Sequence, residues 1–202
     1  MKKSVCTMLF LVAALAVAAF AGDDKKAATQ GQPDAAQMQA MMTAMAPGGN
    51  HAHLAKLAGN HTYTMKMWMD PAAPPQESTG KRSAQMILGG RFLEEKYSGN
   101  FMGMPFEGIG WMGYDNLKKE YTGAWIDNMG TGIMDMSGTG SADGKTWTMK
   151  GTGMDPATGK PMTTRSEINI VDDNTFTMTM FGPGADGKET KMFEMTCKKA
   201  AM

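Results

Sequence analysis

The stretch Asn60-His-Thr-Tyr-Thr-Met-Lys-Met-Trp-Met69 decides the fold. Successive strand side chains point to opposite faces, so Tyr63, Met65, Met67 and Met69 share one face while Thr62, Thr64, Lys66 and Trp68 share the other. An apolar face backed by a mostly polar one at period two predicts a half-buried strand. The pattern stops at Asp70-Pro-Ala-Ala-Pro-Pro75, which cannot continue a ladder, and then resumes.

The same cycle of strand and breaker runs to the C-terminus. Strands are expected at Glu77–Leu88, Arg91–Phe101, Phe106–Tyr114, Glu120–Asp127, Thr131–Ser141, Lys145–Met154, Pro161–Val171, Thr175–Phe181 and Glu189–Lys198. Between them stand short turn-forming runs such as Gly89-Gly90, Asn128-Met-Gly130, Ala142-Asp-Gly144 and Asp172-Asp-Asn174, whose Asp, Asn and Gly residues tolerate the positive φ of tight hairpins. About ten strands joined by short loops make an up-and-down meander. A twisted sheet of that length seldom stays open, and closing it removes its edges, which predicts an all-β, closed antiparallel barrel with a short N-terminal helix, an open sandwich being the main rival. Gly108, Gly110, Gly113 and Gly123, inside strands, suit the bends and close approaches of a coiled sheet.

Outward from the barrel, His51-Ala-His-Leu-Ala-Lys-Leu-Ala58 predicts one or two helical turns ended by Gly59, and Ala35 to Met45 a short helix within an otherwise mobile tether. The first residues combine Met1-Lys2-Lys3, an apolar run from Val5 to Phe20 and a small-x-small site at Ala19-Phe20-Ala21. This is the pattern of a signal peptide cleaved after Ala21, and it predicts export to the periplasm or beyond the cell. The expected organisation is therefore 1–21 signal peptide, 22–49 linker and 50–202 barrel domain. The apolar run is shorter than the ~20 residues of a membrane span, so no integral anchor is expected.

Loss of Lys2 and Lys3 leaves 18 Lys and Arg against 20 Asp and Glu, a mature net charge of −2, which attracts neither nucleic acid nor an anionic surface. Cys197 would then be the one remaining cysteine, so no internal disulfide can form.

Gly89-Gly-Arg-Phe-Leu-Glu-Glu95, Pro105-Phe-Glu-Gly-Ile-Gly110, Gly113-Tyr-Asp-Asn116, Trp125-Ile-Asp-Asn128 and the turn from Asp155-Pro to Gly159 resemble the bacterial family catalogued as domain of unknown function 1579, over about His53 to Cys197. That resemblance implies a calycin-like barrel, the architecture of lipocalins, fatty-acid-binding proteins and nitrobindins, and implies no activity. The lipocalin Gly-x-Trp stands here as Gly59-Asn60-His61, without the tryptophan. A nitrobindin-like haem site would need a histidine late in the chain, and His61 is the last.

Three groups of residues could carry chemistry. The histidines His51, His53 and His61 lie together at the front, and no Gly-x-Ser-x-Gly elbow accompanies them, which argues against a hydrolase. Methionine is abundant, at 24 residues. On strands, Met65, Met67, Met134, Met136, Met178 and Met180 sit on single faces and suit a pliable apolar interior. Before the barrel, Met38, Met41 and Met45 recur at helical spacing ahead of His51 and His53, a thioether and imidazole set suited to Cu(I). Arg91, Glu95, Tyr97, Tyr114, Trp125 and Arg165 are the polar groups that would orient a ligand if their faces turn inward.

The leading expectation is a non-enzymatic barrel that binds a small apolar or amphipathic molecule and needs no cofactor. Copper handling by the methionine and histidine set, or an enzyme of unrecognised type at the barrel mouth, are the alternatives.

Overall fold

The structure is a computed structural model that describes residues 32–70, 72–155, 158–184 and 187–200. The expected leader and the start of the tether lie outside these residues. Two helices, α1 (Ala35–Met45) and α2 (Gly49–Ala55), precede ten strands: β1 (Gly59–Met67), β2 (Gln76–Ile87), β3 (Phe92–Phe101), β4 (Met104–Asp115), β5 (Glu120–Asp127), β6 (Met134–Gly140), β7 (Thr146–Met154), β8 (Pro161–Asp172), β9 (Thr175–Pro183) and β10 (Glu189–Lys199). Each strand pairs antiparallel with its neighbours in sequence, and β1 pairs with β10 through Tyr63↔Cys197 and Met65↔Met195, closing the barrel.

Several element ends differ from the sequence reading by one to three residues, and the larger shifts have visible causes. Asn128 stays bound to β4, its backbone N–H donating to the Glu107 carbonyl at 3.0 Å and its side chain bridging Glu107 and Pro105, so β6 begins only at Met134. The β3–β4 hairpin is tighter than Met102-Gly-Met-Pro105 suggests. Met102 and Gly103 both take positive φ, of 51° and 82°, and the Asn100 carboxamide oxygen accepts from the Gly103 N–H at 2.8 Å. Arg91 falls into the turn before β3.

Helix α1 begins with a capping box, in which Asp34 Oδ1 accepts from the Gln37 N–H while Gln37 Oε1 accepts from that of Asp34. It buries no residue, and Met38, Met41, Met42 and Met45 all face solvent. Its C-terminal end is tied down, because Asn116 Nδ2 donates to the Ala44 and Ala46 carbonyls and Arg91 Nη2 to that of Met45. Helix α2 and the turn after it plug the nearer barrel end with Leu54 and Leu57, both fully buried. Burial of each leucine contributes about 2 kcal/mol.

The inward faces follow the alternation. Tyr63, Leu93, Tyr97, Met112, Tyr121, Trp147, Met149, Met195 and Cys197 pack behind α2 as the core. Aromatic rings seat on inward glycines: a Cβ at Gly80 or Gly99 would collide with the Tyr63 hydroxyl, and one at Gly108 would collide with the Trp125 ring. These strand glycines are spaces for neighbouring rings, which lets a ten-strand barrel pack aromatics inside.

Candidate functional site: the barrel interior

The floor of the interior is an ionic network. Arg82, on the inward face of β2 and 1 % exposed, donates from Nε to Glu95 Oε1 (2.9 Å) and Tyr97 Oη (3.1 Å), and from Nη1 to the Leu57 carbonyl (2.7 Å) and His61 Nδ1 (3.1 Å). Its Nη2 also meets Glu95 Oε1, and its guanidinium lies 4.8 Å from the centroid of Phe176. Burial by itself would lower the arginine's pKa, but the Glu95 carboxylate beside it outweighs that and raises it, so Arg82 stays charged. Burial and then the neighbouring Arg82 push His61 below the ordinary histidine value, leaving a neutral ring whose Nδ1 accepts the arginine proton. Burial also pushes Tyr97 well above the usual phenol range and Cys197 up to about 12. This layer ties the helical plug to the strands through the Arg82 to Leu57 hydrogen bond.

Away from α2 the interior changes character. The strand ends opposite the plug carry inward methionines on several strands: Met65 and Met67 on β1, Met134 and Met136 on β6, Met162 on β8, Met178 and Met180 on β9. All are half-buried, as are the inward Phe106 and Trp125, whereas most inward side chains behind α2 are buried, with Ala84, Met86, Tyr114 and Ile170 half-buried there. Trp125 stands at the boundary, its Nε1 donating to Asp127 Oδ2 at 2.7 Å and its ring edge-on to Tyr97 at 5.4 Å.

Two inward-facing hydroxyls are unanswered, Ser78 Oγ on β2 and Thr164 Oγ1 on β8. Thr164, on β8 and 2 % exposed, has no partner for its Oγ1. It pairs with Gly151 on β7, and the pairing of Arg165 with Phe181 sets Gly182 of β9 on its other side. Over the first glycine lies Met134: its Sδ and Thr164 Oγ1 are each 2.9 Å from where a Gly151 Cβ would stand. Over the second lies the Met192 thioether, brought inward by the β10 bulge between Lys191 and Phe193.

Of the residues singled out from sequence, Glu95, Tyr97 and Trp125 come together at the junction of floor and methionine-lined half. Arg91 does not join them. It is exposed, donating to the Leu88 and Met45 carbonyls. Tyr114 sits at the helix end, its ring 6.0 Å from His51 and 5.0 Å from Tyr121. Arg165 turns outward, bound by Glu167 and Glu189 and stacked 4.1 Å from the centroid of Phe181. His51 accepts the Gly48 N–H on Nδ1 at 3.0 Å and is buried, and the His53 ring packs against the position that Gly144 leaves empty. Met38, Met41 and Met45 stand on α1 in solvent. Among the described residues no group of three or more His, Cys, Asp or Glu is placed to hold a metal ion, and no helix is long and apolar enough to cross a membrane.

Arg82, His61 and Thr164 were missed. The signal for Arg82 was present: it falls in register with Ser78, Gly80, Ala84 and Met86, the small and apolar face of β2. Thr164 carried a weaker one, alternating with Met162, Ser166, Ile168 and Ile170.

A concavity of about 810 Å³ lies on the outside of the sheet, where Thr62, Lys81, Ser98, Glu107 and Ile126 face solvent across β1 to β5. The inward residues His61, Arg82, Tyr97, Gly108 and Asp127 also border it.

No curated protein matches the chain. Among solved structures, the chain is similar to Rv2717c from M. tuberculosis at 14% identity and a TM-score of 0.59, over 77% of this chain and all of that one, which shows a shared fold. It also matches a redesigned β-barrel (17% identity, TM-score 0.40, 73% of this chain and 94% of that one) and EF1p2_mFAP2b bound to DFHBI (14%, 0.41, 75% and 100%). The family model described as "Protein of unknown function (DUF1579)" matches residues 46–199, which span both the plug and all ten strands, and the chain belongs to that family.

Proposed function

We propose that this chain is an exported, non-enzymatic barrel that carries one small apolar or amphipathic molecule in the half of its interior opposite α2. The observation that supports this reading is the trend of exposure along the inward faces: mostly buried behind the helical plug, half-exposed and lined by methionine toward the other end. A methionine lining suits such a task, since its flexible, polarisable side chain reshapes around a guest at little cost. Small barrels of this kind either fill with side chains or hold one small ligand, and the half-exposed inward methionines favour the second. The ionic floor serves as a rigid base.

Native mass spectrometry of protein isolated from its own host, followed by displacement of an environment-sensitive apolar dye, tests the reading. A bound small molecule, or dye binding reduced by Met136→Trp, which fills the open half, supports it. A guest-free protein that binds no dye refutes it. Export is checked by fractionation: the mature protein is expected outside the cytoplasm with Gly22 as its first residue.

A further inference from the structure

Resting on that carrier reading, we infer that the guest is uncharged and carries one polar atom that hydrogen-bonds the Thr164 hydroxyl, beneath the Met134 and Met192 thioethers. The search for what the open half could recognise leaves few groups. Arg82 and Glu95 neutralise each other. The two oxygens of Asp127 already accept from Trp125 Nε1 and from the Met129 N–H at 2.9 Å. Among the described residues, an anionic guest would meet no inward cation there besides the paired Arg82, and it would meet Asp127 as a like charge. A cationic guest would find only Asp127, whose two oxygens are already engaged by N–H donors, and would give up its hydration for the neutral Thr164 hydroxyl.

The threonine is set apart from Ser78, the other unpaired inward hydroxyl, because the whole residue is buried and a glycine flanks it on each neighbouring strand. Buried hydroxyls nearly always find a partner, and one left without costs stability. Its surroundings are suited to admit one. On either side stands a glycine, so no fixed side chain occupies the flanks, and the space is covered by two flexible thioethers that can swing aside. A guest atom at that position would displace Met134 and Met192 and satisfy Oγ1 in a low-dielectric setting, while its apolar body lies along Met162, Met180 and Trp125. The hydroxyl can donate to a carbonyl or ether oxygen, or accept from an alcohol.

The test uses four probes that share one ring system: naphthalene, naphthol, naphthoate and naphthylmethylammonium, titrated against the full-length mature protein. Wild type is expected to bind naphthol about two- to twelvefold more tightly than naphthalene, the worth of one net hydrogen bond, and to bind both ions more weakly than naphthalene. Thr164→Val keeps the shape and removes the hydroxyl. It should bind naphthol and naphthalene alike, and should melt at a higher temperature than wild type when empty, because the unpaired hydroxyl is gone. Thr164→Ser should keep the preference.

Either ion binding as well as naphthol, or a naphthol preference that survives in Thr164→Val, overturns the assignment and leaves the carrier reading standing. Binding of none of the four to folded wild-type protein overturns both.

Discussion

Glu95 Oε1 lies 2.9 Å from Arg82 Nε, the two residues sitting diagonally across the register Arg82↔Tyr97 and Ala84↔Glu95 between β2 and β3. The arginine side chain has no exposure and that of the glutamate 16 %. A guanidinium there is tolerable because its carboxylate and three further acceptors, from Tyr97, Leu57 and His61, are already in place. Glu95→Leu is therefore expected to cost about 3–5 kcal/mol, since it strands a buried charge, whereas Arg82→Met combined with Glu95→Leu recovers most of that loss. Urea unfolding of the two variants beside wild type measures it, and a Glu95→Leu variant within about 1 kcal/mol of wild type would contradict the role given to the pair.

Stability should fall in mild acid. His61 and His51 both have pKa values lowered in the folded state, burial being the largest cause for each. Around His61 stand Arg82, Lys199 and Glu95, and near His51 stands Arg91. The unfolded chain, with ordinary histidines, binds more protons below about pH 6.5, so folding stability is complete above that pH and declines as pH drops toward the folded values. Melting temperatures from pH 7.5 to 5 check this, and His61→Gln should flatten the slope. A melting temperature that rises on acidification would show the sign to be wrong.

Cys197 offers a clean probe of global opening. It is fully buried, and burial pushes its thiol up to about 12, so almost no thiolate exists at pH 8. A thiol reagent such as a maleimide should leave the native protein unlabelled for hours and label it at once in denaturant. Prompt labelling without denaturant would mean that the β1–β10 seam opens locally.

Two inward-facing glycines of neighbouring strands should answer differently to the same substitution. A Cβ at Gly138 would run into the Thr148 carbonyl oxygen and lie 2.8 Å from Met149 Cα, whereas one at Gly153 meets nothing nearer than Met134 Cε at 3.8 Å. Gly138→Ala is expected to destabilise by about 1–3 kcal/mol through overpacking. Gly153→Ala should be neutral or stabilise by roughly 0.5–1 kcal/mol, the usual gain of alanine over glycine in a strand. Equal melting temperatures for the two variants would contradict the tight seat at Gly138.

Oxidation should sort the methionines by position. Met38, Met41, Met42 and Met45 on α1, with Met69 and Met154 at strand ends, are exposed by 45% to 64%, while Met112, Met149 and Met195 are nearly inaccessible. Dilute peroxide followed by peptide mapping is expected to convert the first set to sulfoxides before the second, with the fold retained. Early oxidation of Met149 or Met195 would contradict a packed core behind α2.

Strand order, the two helices and closure were legible from the chain because their causes are local. Asx and glycine turns stop the strands, and sequential hairpins leave no choice of neighbour. The largest shift of an element end came where a side chain acted at a distance, as when Asn128 held on to Pro105 and Glu107. The outward turn of Arg165 was also legible, in the apolar register Met162, Ile168 and Ile170 on the opposite face of its strand.

By itself, the order of residues determined that this chain alternates, turns and must close, since period two and turn chemistry act within a few residues. Which charges would be buried together, and which hydroxyl would be left without a partner, was decided only when β1 met β10 and α2 entered the end. Arg82 depends on Leu57, His61, Glu95 and Tyr97 arriving from separate segments, and Thr164 on two thioethers that come from β6 and β10. Satisfaction of a buried polar atom is a property of everything that surrounds it, and no local pattern contains that information.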